Sequence, residues 1–152
     1  MRTRKASRQS AVGSRQSTAQ IKPLLEAHLD ALNGRHLDQL VAFYADDAVL
    51  EFPASPPAQG IHRIRQAFES FFDQWEETSA YRTVIVSGTV AAAEGTVKGR
   101  HRTLHLRIPG RVAAGSREYR HEFAMFVEFA DGKIKRHRVY FDARDLVKQL
   151  LG

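Results

Sequence analysis

The sequence predicts an α+β fold in which helices cover one face of a curved, mostly antiparallel sheet. Three observations lead there. Apolar residues recur with a helical period from Ile21 to Trp75, the period falls to two after Ser79, and Asp131-Gly132 offers a two-residue hairpin turn between the last strands. Helices first and strands afterwards is the α+β order, whereas a parallel sheet would alternate the two.

The elements follow in sequence. Residues 1–20 are rich in Ser, Arg, Gln and Ala without apolar periodicity, so they are expected to form a disordered basic tail ahead of one domain over 21–152. Ile21, Leu24, Leu25, His28, Leu29 and Leu32 share one helical face, and Asn33-Gly34 supplies a left-handed stop. A short second helix carries Leu37, Leu40, Val41 and Tyr44 and ends near Asp46-Asp47. Residues 48–52 alternate as a strand, and the proline-rich stretch 53–60 reads as a loop. A third helix begins at Ile61, with Ile64, Phe68, Phe71, Phe72 and Trp75 on its buried face. Strands are then expected over 81–87, 90 to about 107, 117–130 and 133–142, and Leu146, Leu150 and Leu151 close the chain as a short helical turn.

Composition narrows the function. The chain has 152 residues, 43% hydrophobic and 26% charged, which suits one compact domain. Its net charge of +6 sits almost wholly in the tail, where Arg2, Arg4, Lys5, Arg8 and Arg15 meet no acid. The remaining 18 basic and 17 acidic residues nearly cancel, so a nucleic-acid-binding face is not expected on the domain. No apolar run approaches the ~20 residues of a membrane span. The absence of cysteine removes disulfides, thiolate metal sites and cysteine nucleophiles. His101 and His105 are four apart on an expected strand rather than a helix, no Gly-rich loop opens a helix, and neither metal nor cofactor is expected. The cytoplasm is the expected compartment, although an Arg- and Ser-rich, acid-free tail is also the composition of an organellar transit peptide or an unselected extension.

A two-residue turn at Asp131-Gly132 puts Glu128 opposite Lys135, a favourable cross-strand pair. The same register puts His121 opposite Asp142 and Tyr140 opposite Phe123, on the face shared with Met125, Val127 and Phe129. A carboxylate on an apolar inner face must be paired, solvated in a cavity or protonated. Two readings stand: Asp142 caps the C-terminal helix or salt-bridges Arg138 or Arg144, or it is a general acid/base with His121 as its partner. On the long strand Ala91, Ala93, Gly95, Val97, Gly99 and His101 share one parity. Small residues there either leave room for a pocket or mark a bend at the glycines. The expected lining is Tyr140, His101, Tyr44, Phe123, Met125, Val97 and Trp75.

Several stretches resemble SnoaL-like polyketide cyclases, within the superfamily shaped like nuclear transport factor two. They are Asn33-Gly-Arg-His-Leu37-Asp38 leading into Phe43-Tyr44-Ala-Asp46-Asp47-Ala48-Val49, Gly60 before Ile64 and Phe68, Asp131-Gly132-Lys133-Ile134, and His137-Arg-Val-Tyr140-Phe141-Asp142. The resemblance covers residues 20–152 and implies a cone-shaped α+β barrel with a deep apolar cavity, often a homodimer. It also implies Asp142 as general acid/base on a carbon acid, with His121 assisting. Epoxide opening is less expected, because the stretch that would carry a second carboxylate reads His101-Arg102-Thr103.

The expected function is cofactor-free proton transfer on a small apolar carbonyl substrate, as in aldol cyclisation or isomerisation. The alternative is a non-catalytic binder of an apolar ligand, or a dimeric accessory module. Ala124, Phe126, Val139 and Phe141, rimmed by Glu122, Glu128, Lys133 and Lys135, are the expected homodimer face.

Overall fold

The structure is a computed structural model that describes residues 7–102, 107–108, 111–112 and 117–152. The elements in chain order are α1 (Ser7–Asn33), α2 (Leu37–Val41), β1 (Tyr44–Glu51), β2 (Ala58–Gln59), α3 (Ile61–Gln74), β3 (Trp75–Ser87), β4 (Val90–His101), β5 (Arg107–Ile108), β6 (Arg111–Val112), β7 (Glu118–Ala130), β8 (Lys133–Tyr140) and α4 (Ala143–Leu151). Six strands form one curved sheet in the order β2-β1-β8-β7-β4-β3, antiparallel except for β1 against β8. The sheet is not closed: β2 and β3 remain edges, so the expected barrel is an open half-cone. β5 and β6 pair separately, and the expected continuation of β4 to 107 crosses residues outside those described.

The helices fill the concave side. Ile21, Leu25 and His28 of α1, Leu40 of α2, and Ile64, Phe68 and Phe72 of α3 pack against Ala91, Ala93, Val97, Phe123, Met125 and Val127 of the sheet. The α1 helix is continuous from Ser7, well ahead of Ile21 where the apolar period begins, and residues 1–6 of the expected tail lie outside those described. Its stop also differs in detail, because the left-handed residue is Arg35 (φ 59°) and not Gly34. Gly34 serves space instead, since a Cβ there would lie 2.6 Å from the His36 ring.

Two boundaries move because groups from elsewhere in the fold take over the backbone at element ends. Trp75 leaves α3 and opens β3, and the Arg35 guanidinium donates to the Phe72 and Trp75 carbonyls at that junction. Tyr44 leaves the second helix and opens β1, where Phe43 O accepts from Ile134 N at 2.8 Å.

The last hairpin decides what faces inward. Asp131 (φ 51°) and Gly132 (φ 74°) form the expected turn with two left-handed residues, and Phe129↔Ile134 and Ala130↔Lys133 pair as expected. The register then shifts by one residue, so that Glu128 faces Arg136 and Val127 faces His137. Lys135 is the extra residue of this bulge, and its ammonium bridges both carboxylate oxygens of Asp47 on β1. A one-residue slip reverses every later side chain. His137, Val139 and Phe141 therefore turn inward, while Arg136, Arg138 and Tyr140 turn outward. The unshifted register would have pushed two guanidinium groups into the core, and the bulge removes that cost.

Candidate functional site

A cavity of about 560 Å³ lies between the concave sheet and the helices. Its wall is mostly apolar: Leu29 and Leu32 from α1, Phe68 and Phe71 from α3, Val97, Phe123, Met125, Val139 and Phe141 from the sheet side, and Leu146 and Leu150 from α4. Size and lining suit a small organic ligand. The small residues on β4 serve close packing rather than the cavity, which Val97 alone borders from that strand. Ala91, Ala93, Gly95 and Val97 all face the covered side, and a Cβ at Gly95 would collide with the Ala80 carbonyl where β3 bulges.

Of the expected lining, Trp75, Val97, Phe123 and Met125 border the cavity, as does His121, the expected partner of Asp142. His121 is 9% exposed and lies against Phe141, ring centroids 4.8 Å apart. Its Nδ1 donates to the Glu122 carbonyl at 3.1 Å, which leaves Nε2 for other partners. Tyr44 is buried one layer behind the wall. His101 is buried under the edge of Trp75, 4.4 Å between centroids, and does not border the cavity.

Two expected residues lie elsewhere. The Asp142 carboxylate is exposed and caps α4, accepting from Arg144 N and Asp145 N at 3.0 Å each. Tyr140 is 49% exposed on the convex face. Neither meets His121. The bulge at Lys135 is the cause for Tyr140, and the onset of α4 is the cause for Asp142, whose side chain is consumed as an N-cap.

Two polar clusters take their place. At one end Glu77 is the only carboxylate among the lining residues, and Tyr119 Oη donates to its Oε1. Burial pushes the Glu77 carboxyl above the ordinary carboxylate range, and the Tyr119 hydrogen bond and the His121 charge only partly offset that. Burial and the Glu77 charge push the Tyr119 phenol up in turn. At the other end the Tyr44 hydroxyl joins His28 Nε2 (3.0 Å) and His137 Nδ1 (2.8 Å). Burial lowers His28 to about 3, helped by the His137 charge, and lowers His137 to about 4. Both rings are therefore neutral at pH 7, and with one hydroxyl proton between them one ring must donate and the other accept. The alternation Trp75, Glu77, Ser79, Tyr81 was the available sequence signal for Glu77, since all four border the cavity. Odd-numbered His137, Val139 and Phe141, following even-numbered Ile134, was the signal for the bulge.

Residues 25–137 match the SnoaL-like domain. The chain belongs to that family. Among solved structures, this SnoaL-like protein is similar to a putative polyketide cyclase from Xanthomonas campestris pv. campestris, with 23% identity over 88% of this chain and 98% of that one, and a TM-score of 0.77. A putative polyketide cyclase from Silicibacter sp. has 22% identity over 84% and 93%, TM-score 0.75. An LEH-like epoxide hydrolase of M. tuberculosis has 21% identity over 91% and 92%, TM-score 0.68. These likenesses establish the half-cone fold. No curated protein matches the chain.

Proposed function

We propose that this SnoaL-like protein binds a small, largely apolar carbonyl compound in its cavity and moves a proton at the carbon beside the carbonyl, without a cofactor, as in an aldol cyclisation or isomerisation. The observation that carries the reading is the cavity itself: about 560 Å³ of mostly apolar space whose wall holds a single carboxylate, Glu77, with the His121 imidazole near it. Apolar walls hold the ligand, and a carboxyl that burial pushes above its ordinary range is a stronger base toward the ligand's C–H than a free one and can return the proton. Family membership supports the same direction. The role expected of Asp142 is not proposed for it.

Trp75, the only tryptophan, borders the cavity and reports occupancy. 2-Tetralone, an apolar ketone with acidic hydrogens beside its carbonyl, should quench Trp75 fluorescence saturably and exchange those hydrogens for deuterium faster with protein than with buffer. Absence of saturable quenching counts against the pocket. Quenching without faster exchange favours the second reading, a non-catalytic binder, for which the departure of Asp142 from the cavity is the supporting observation.

Homodimerisation through the convex face belongs to the same proposal, with a corrected patch. Val139 and Phe141 turn inward, and the outward apolar residues are Ile85, Ala92, Ala124, Phe126 and Tyr140, with Ile85 62% and Phe126 44% exposed.

A further inference from the structure

We infer that Glu77 is the proton-transferring residue of this cavity, held in place by Tyr119 across a gap that Gly99 leaves in the sheet. The assignment rests on the proposed proton-transfer function and names its residue.

The cross-strand register puts Glu77, Gly99 and Tyr119 in one row, on β3, β4 and β7. A side chain on the middle strand would normally separate the outer two, which lie two strand spacings or about 10 Å apart. Gly99 has none, and the phenol reaches over it to the carboxylate. A Cβ at position 99 would stand 2.5 Å from Tyr119 Oη and 2.8 Å from Glu77 Cγ. The contact therefore needs glycine at that place.

Position is fixed from the other side as well. β3 is an edge strand, and Asn33 and Arg35 at the end of α1 occupy its free backbone groups. Asn33 Nδ2 donates to Ser79 O and Asn33 Oδ1 accepts from Ser79 N, both at 2.9 Å, while Arg35 Nη1 donates to Trp75 O at 2.9 Å. These anchors fall two residues before and two residues after Glu77. Trp75 and His121 pack on the two sides of the Tyr119 ring, one edge-on at 5.6 Å and the other stacked at 6.0 Å.

Tyr119 engages Oε1, and Oε2 has no hydrogen-bond partner among the described residues. In the ionised form Oε2 accepts the proton from the carbon beside the ligand carbonyl. The C–H electron pair passes into the enolate, whose oxygen carries the charge, and Glu77 returns a proton to the same or a neighbouring carbon. No other reactant is consumed. Tyr119 and Gly99 are positioning residues, because they act on the ligand only through Glu77.

The test uses the full chain with 2-tetralone in deuterated buffer. Glu77→Gln should lower deuterium exchange about 100-fold or more while Trp75 quenching keeps its midpoint within a few-fold. Tyr119→Phe removes a hydrogen bond that favours the carboxylate, so the rising limb of the pH–rate profile should move to higher pH, which a merely structural role would not do. Exchange by Glu77→Gln within threefold of wild type overturns the assignment and leaves the pocket standing. If the wild type neither binds nor exchanges 2-tetralone, the pocket reading fails on its own. Carbon-13 titration of the ligand-free protein then decides for Glu77: a carboxyl at its ordinary value, unmoved by Tyr119→Phe, overturns the assignment, and a raised one that moves further up sustains it.

Discussion

The buried His28–Tyr44–His137 cluster makes stability depend on pH in a way that can be worked out in advance. Both imidazoles titrate in the folded chain near 3 to 4, against 6.5 when free, so the unfolded chain binds more protons between those values. Stability that is full above pH 6.5 is lost as pH falls toward the folded values. At pH 5 both groups are still neutral in the folded state, so the loss depends only on the free value. It comes to about 2 kcal/mol per histidine, or ~4 kcal/mol for the pair, relative to pH 8. That is a large share of the 5–15 kcal/mol that holds a typical domain. Glu77 works in the opposite sense, because a carboxyl raised by folding adds stability as pH falls. Salt-bridged Asp47, Glu51 and Glu94, whose pKa values are lowered, give way only at still lower pH. Urea unfolding followed by Trp75 fluorescence from pH 8 to 5 should show the loss, and the double variant His28→Gln/His137→Gln should lack most of it. Equal pH slopes for wild type and double variant would refute the argument.

Asp142→Ala should cost about 1 kcal/mol through the lost α4 cap and leave tetralone exchange within twofold, measured by thermal melting and proton NMR. A large loss of exchange at unchanged stability would restore the chemistry once expected of it. Gly99→Ala should cost about 1–3 kcal/mol by overpacking, read from the urea midpoint, and should slow exchange as the Tyr119–Glu77 contact opens. A stability loss with no change in exchange would separate the glycine from the site. Phe126→Glu should convert a dimer to a monomer in sedimentation velocity without altering Trp75 quenching, and a wild type that sediments as a monomer would dismiss that interface.

Much of the architecture was legible because it follows from periodicity. Ile64, Phe68 and Phe72 repeat at helical spacing, Phe123 to Phe129 alternate, and Asp131-Gly132 has the chemistry of its turn, so the corresponding elements lie where expected. The site was half legible. His121, Val97, Phe123 and Met125 border the cavity because their strand faces could be read, and Trp75 borders it although it was expected on a helix, whereas Asp142 and Tyr140 do not. One inserted residue, Lys135, inverted the inference for Tyr140, and hairpin logic extrapolated from the turn had no means of counting it. The parity change from Ile134 to His137 carried that information, and two arginines on the supposed inner face were the physical objection to the simpler register. Glu77 went unread for another reason. It stands where a helix passes directly into a strand, and with that strand expected only from residue 81 the alternation beginning at Trp75 was passed over.

The way α1 ends against β3 bears on how copies of this chain behave in a crowd. A thirteen-residue strand with a bare flank is an invitation to edge-to-edge growth, and Asn33 and Arg35 occupy the first part of that flank with side chains in place of a neighbouring backbone. Replacing Asn33 by an aliphatic residue would uncover Ser79 as a docking point for a foreign strand. Solubility and the aim of Glu77 thus depend on the same two side chains.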